Sequence, residues 1–198
     1  NDKINLICSD LNSNKGIVTD IQTKDVEKQS PKLFSLSKLQ GYCGKKFKLK
    51  PAETLAVVQS LYEKGYVTYP RTNTEYLNEN EKQTVLHLLE VHDKNNVLLF
   101  KDSKRIFDDS KIESHSALMP TDKIANYDSF SSNEKKVYQA IFARFNSVFW
   151  KEPCIVTETE ATIHVGRQFP NDLKIKGQAV KSKGWMRVYG DGSVDKAI

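Results

Sequence analysis

The chain has 198 residues, with 30 Lys and Arg against 25 Asp and Glu, and a net charge of +5. At 38% hydrophobic and 28% charged residues it reads as a globular chain that can bury one core or two small ones. No apolar run approaches the roughly 20 residues needed to cross a bilayer, and there is no basic-apolar secretory leader, so a cytoplasmic location is expected. Cys8, Cys43 and Cys154 are too scattered for a disulfide framework or a zinc site and are expected as free thiols.

In chain order, the first 35 residues read as strands, with Ile4, Leu6, Ile17, Val18 and Ile21 arranged around the turn-forming run Asn12-Ser13-Asn14-Lys15-Gly16. Ser35 is a natural cap for a first helix carrying Leu36 and Leu39. Lys45, Lys46, Lys48 and Lys50 then crowd together with Phe47 among them. Such a run is either a solvated basic loop or a phosphate contact. Pro51 suits the first position of a second helix, whose apolar face is Leu55, Val58, Leu61 and Tyr62, and Gly65 suits its end. The short β-like run Tyr66-Val67-Thr68-Tyr69 follows, leaving Tyr69 just past a helix end, where a rigid scaffold can present a reactive group.

Asn78 is placed to cap a third helix over residues 79–90, and residues 93–110 read as a turn-rich connection with an apolar island at 97–100. Ser131 and Glu134 form a capping box for a fourth helix with the apolar stripe Val137, Tyr138, Ile141, Phe142, Phe145, Val148 and Phe149. After Pro153 the period becomes two, with Ile155, Thr157, Thr159, Ala161, Ile163 and Val165 on one face. Phe169-Pro170-Asn171-Asp172 reads as a turn. Leu173 and Ile175, then Trp185, Met186 and Val188, suggest two returning strands. The expected class is α+β, with segments 1–34 and 153–198 β-rich and 35–152 helical. The chain lacks an initiator methionine and stops at Asp195-Lys196-Ala197-Ile198 without a closing element, so it is expected to be a piece of a longer protein.

The chemistry concentrates at Tyr69-Pro70-Arg71-Thr72. A phenol becomes a useful nucleophile when a neighbouring cation steadies its oxyanion or steers an anionic electrophile to it. Pro70 biases Tyr69 toward an extended backbone, in which Tyr69 and Arg71 would point to one side, and a guanidinium suits a phosphate. Taken alone the triplet is far more often a surface turn. His115, among small polar residues, can donate to a phosphate or move a proton near neutral pH, though alone such a residue is more often a structural or solvent-exposed histidine. The acidic pairs Asp108-Asp109 and Asp191/Asp195 lack the spacing of a hard-cation site.

Three runs occur in the order and spacing of one family: residues 31–40 (PKLFSLSKLQ), residues 61–77 ending Tyr69-Pro70-Arg71-Thr72-Asn73-Thr74-Glu75-Tyr76-Leu77, and Ser114-His115-Ser116-Ala117-Leu118-Met119-Pro120-Thr121. In them the chain resembles the type IA DNA topoisomerases, and within these bacterial topoisomerase III, from about residue 15 to Tyr189. The resemblance implies a helical, winged-helix-like domain inserted into a β-rich arch. It implies that Tyr69 forms a transient phosphotyrosine link to the 5′ end of a cleaved strand, that Arg71 steadies the transition state, and that His115 contacts the scissile region. Lys45, Lys46, Thr72 and Arg144 are candidate DNA contacts and Tyr76 a stacking surface; a surface or core role fits these equally.

Two positions depart from the family. Asn73 stands where an aspartate is usual, and Ser116 stands at the second of a usual histidine pair, leaving the proton role of His115 open. The resemblance also implies magnesium in the full-length parent, held by an acidic cluster on an N-terminal Toprim domain that nothing in this chain matches. The expectation is therefore no cofactor here, single-stranded DNA and that Toprim domain as partners, and no relaxation of supercoiled DNA by this chain alone. The alternative is a non-catalytic module for single-stranded nucleic acid on a winged-helix-like core, in which Tyr69 and Arg71 only touch the strand. An interaction domain using its β flanks has no specific support.

Overall fold

The computed structural model describes residues 2–165 and 172–190. Along the chain come α1 (Asp2–Ser13), β1 (Gly16–Glu27), α2 (Leu36–Phe47) and α3 (Pro51–Glu63), then a 3-10 turn (Glu79–Glu81) that runs into α4 (Lys82–His92). After them come α5 (Ser132–Phe149), β2 (Ile155–Val165), β3 (Leu173–Ser182) and a 3-10 turn over Gly184–Tyr189. The mixture of helix and sheet is the α+β class that the periodicities indicate. The described residues fall into two compact units: 2–29 with 153–165 and 172–183, and 30–152 with 184–190. Among them no helix is long and apolar enough to cross a membrane.

The first unit is an antiparallel sheet in the order β1-β2-β3. Its register runs from Gly16 opposite Val165 to Glu27 opposite Ile155, with a bulge between Val18 and Asp20. Cross-strand ion pairs line it: Lys24 and Lys28 on Glu158, Lys174 and Lys176 on Glu160, and Lys181 on Asp25. Residues Asp2–Ser13 are helical where strands were expected. Ile4, Ile7, Cys8 and Leu11 do recur at helical spacing, but Ile4 and Leu6 stand exposed and α1 buries no residue, so no core holds that face. Residues 169–171 of the expected turn lie outside the described residues.

The second unit has two clusters of core side chains. One gathers Leu77, Val85, Leu88, Phe107, Phe145 and Phe149; the other gathers Leu39, Val58, Leu61, Tyr66, Val137 and Ile141. Helix α5 serves both, giving its first half to the second cluster and its last turns to the first. The extended run 117–119 also serves both, since Ala117 and Met119 point into one and Leu118 into the other, as strand alternation requires. Trp185 and Met186, read from sequence as strand, are buried on the closing 3-10 turn, which packs against α5. Gly184 starts that turn at φ 44°, a left-handed conformation that breaks the strand.

Candidate active site

Helix α3 delivers the tyrosine. Pro51 sits in its first turn, and Lys64 closes it with its N–H on the Ser60 carbonyl. Gly65, at φ 78°, then turns the chain out of the helix. Val67 pairs with Pro120 in an isolated antiparallel bridge. Thr68 is bonded twice to the same run: its N–H donates to the Met119 carbonyl at 3.0 Å, and its Oγ1 accepts from the Met119 N–H at 3.0 Å. Leu118 N–H donates in turn to the Phe34 carbonyl at 2.8 Å, so the run before α2 braces the same segment. All three sequence motifs therefore meet at one place.

Tyr69, half-buried, follows directly. Its ring lies 4.4 Å from that of His115, tilted by 48°, and 5.4 Å from that of Tyr62 in an edge-on contact. Past Tyr69 the chain bends instead of running on extended. Thr72 N–H donates to the Pro70 carbonyl at 3.0 Å, a three-residue turn centred on Arg71, so the same-side argument from a regular strand does not apply. Arg71 is exposed and no described residue pairs with it. Thr72 is turned inward: it is buried, and its Oγ1 donates to the His115 carbonyl at 2.8 Å. Asn73 Nδ2 donates to Glu113 Oε2 at 2.8 Å. An aspartate at position 73 would set two carboxylates against each other, so the departure from the usual residue matches its partner here.

The basic candidates separate. Lys45 and Lys46 are exposed in the last turn of α2, with Lys46 Nζ donating to Tyr42 Oη at 3.0 Å. Arg144 is committed internally. Its guanidinium stacks 3.8 Å from the Phe34 ring centre and donates to the Lys32 carbonyl at 2.9 Å and to Tyr189 Oη at 3.0 Å. That makes it a brace for the run before α2 rather than a free phosphate contact. Tyr76 is covered by Lys32, whose Nζ donates to its hydroxyl and lies 4.0 Å from its ring centre. One group that motif reading missed is Glu81, which holds Ser116; no signal in the sequence joins them.

Among the described residues no three His, Cys, Asp or Glu side chains converge to hold a metal ion. Asp108 instead caps a 3-10 turn, accepting from Ser110, and those hydrogen bonds together with Lys104 and Lys111 hold its carboxyl below the usual range. Asp109 accepts from the Glu79 N–H. Both carboxylates are thus taken up by the chain's own hydrogen bonds, and Asp191 and Asp195 lie outside the described residues.

The fold matches that of full-length topoisomerase I from Thermotoga maritima, with a TM-score of 0.67 at 18% identity, over 94% of this chain and 32% of that one. A family model described as DNA topoisomerase matches residues 1–197, and the chain belongs to that family. Among relatives, DNA topoisomerase 3 of Bacillus cereus is 31% identical over 95% of this chain, and DNA topoisomerase 1 of Pyrococcus horikoshii is 31% identical over 87%. The chain spans 27% of the first relative's length and 26% of the second's.

Proposed function

We propose that this chain is the tyrosine-bearing central part of a type IA DNA topoisomerase and that Tyr69 is its nucleophile. The phenolic oxygen attacks a phosphodiester of a single strand. A bond forms from Tyr69 Oη to phosphorus as the bond to the 3′-oxygen breaks. The phenol gives up its proton and the departing 3′-oxygen gains one. The 5′-phosphotyrosyl link holds one end while another strand passes, and the reverse reaction reseals the break. The observation that carries this reading is the Tyr69–His115 contact, built on two chain segments bonded rung to rung, in a chain of the DNA topoisomerase family.

The roles of the neighbours follow from their chemistry. Arg71, exposed and unpaired among the described residues, offers its fork to the phosphate whose charge grows in the transition state. His115 contacts the same phosphate. Lys45 and Lys46 meet the strand backbone. Thr72 and Arg144 support the site from within. The sheet unit is a β-rich segment of an arch, and the helical unit a winged-helix-like insertion in it. Magnesium and its acidic Toprim domain belong to the longer polypeptide, and this chain alone does not relax supercoiled DNA.

The test is Tyr69→Phe in the full-length parent with a single-stranded oligonucleotide labelled at its 3′ end. The parent carries the label into a protein adduct on a denaturing gel; the variant gives none, while binding stays within about threefold. An undiminished adduct rules Tyr69 out. Salt-sensitive binding with no adduct in the parent itself favours the non-catalytic module.

A further inference from the structure

We propose that Glu81 is a positioning residue of the Tyr69 centre: with Asn78 it holds Ser116, and so fixes where His115 stands against the Tyr69 ring. The inference rests on the reading of Tyr69 and His115 just given.

No described residue hydrogen-bonds to the His115 imidazole, so its place is set by its backbone and its ring contacts. That backbone is tied at three successive residues to the stretch 72–81. The His115 carbonyl accepts from Thr72 Oγ1, and the Ala117 N–H donates to the Tyr76 carbonyl at 2.9 Å. Between them the Ser116 hydroxyl donates to Glu81 Oε2 and accepts from Asn78 Nδ2 at 2.6 Å. A hydroxyl with its one proton given and an acceptor site filled has little freedom left. Glu81 Oε2 also accepts from the Asn78 backbone N–H at 2.7 Å, closing the cap at the head of α4. Helix α4 in turn is anchored by Val85, Leu88 and Leu89 in the core. The order of dependence is therefore core, α4, Glu81, Ser116, His115. Ser116 stands where the family usually has a second histidine, and here it serves as the grip for that anchor.

The measurement is the rate of adduct formation by the full-length parent at saturating oligonucleotide, across the pH range in which an imidazole titrates. Glu81→Ala and Ser116→Ala are each expected to slow it by about tenfold and to shift the pH profile, since small misplacements at a reacting centre are costly. Ser116→Ala keeps the Asn78–Glu81 cap, so it separates positioning from helix stability. Glu81→Gln, whose amide oxygen still accepts from Ser116, recovers most of the rate. The double variant E81A/H115A is no slower than H115A, because Glu81 acts through His115. Losses that multiply in the double variant, or wild-type rate and pH profile in E81A beside a slowed H115A, overturn the positioning role. Wild-type rate in H115A overturns the reading of His115 itself and this inference with it.

Discussion

Glu134 shows how one side chain can set the stage for another far along the chain. It is buried, and its carboxylate accepts from Ser60 Oγ at 2.8 Å, Lys64 Nζ at 2.6 Å and the Ser131 N–H at 2.8 Å. Burial alone would raise its pKa; the hydrogen bonds from Lys64, Ser131 and Ser60 outweigh burial and bring it from an ordinary 4.5 down to about 2. The pair thus pins the end of α3, from which Tyr69 is delivered, to the start of α5. Because the folded pKa is depressed, its stabilisation is complete above pH 4.5 and fades as pH falls toward 2. Glu134→Gln is expected to cost about 2 kcal/mol at neutral pH by urea denaturation, and the gap from wild type should close in acid. The Ser131–Glu134 cap was legible as S-x-x-E. Its partners on α3 were not, because nothing local marks a contact across so many residues. Arg144 was opaque for the same reason: on a helix wheel it looks free, and only the fold lays it on Phe34.

Among the elements, those that announce themselves by end chemistry were readable. Ser35 caps α2, accepting from the Lys38 N–H, Pro51 opens α3, and Asn78 begins the turn into α4, as their residue types demand. The exceptions are α1, which turns no apolar face inward, and the run 184–189, whose apolar spacing suits a strand until Gly184 bends it. Gly65 carries a consequence for the site. At φ 78° it adopts a conformation that a side chain resists, although a methyl group would meet nothing closer than Lys123 Cδ at 3.9 Å. Gly65→Ala is therefore expected to cost about 1 kcal/mol through backbone strain alone. Chemical denaturation measures that loss, and slower adduct formation in the parent would show the exit from α3 to matter for Tyr69.

For the molecule as a whole, the two units differ in what holds them. The sheet unit relies on backbone ladders and exposed ion pairs, with Ile17, Val18, Ile21 and Ile175 left in solvent. Such exposed pairs are screened by solvent and contribute little. The helical unit wraps α5 on both its core clusters. Hydrogen exchange should therefore release the amides of β1 and β3 well before those of α5, and protection of β1 equal to that of α5 would contradict this. The presence of a sheet and a helical middle was plain from the change of period at Pro153. The way residues 30–35 and 117–120 clasp the tyrosine segment was not, since such pairings follow from the fold and not from any local pattern.

The run 115–120 is hydrogen-bonded to Phe34, Thr68, Thr72 and Tyr76, groups that the chain must bring together from distant points. Thr72, Ala117, Leu118 and Met119 are buried there, the last three in the two core clusters, so this knot needs both clusters in place and the closure of long intervening segments. A chain that has not made these pairings carries Tyr69 without its partner ring and without its backbone rungs. With Tyr69 as the proposed nucleophile, the ability to cut a strand depends on the completed fold.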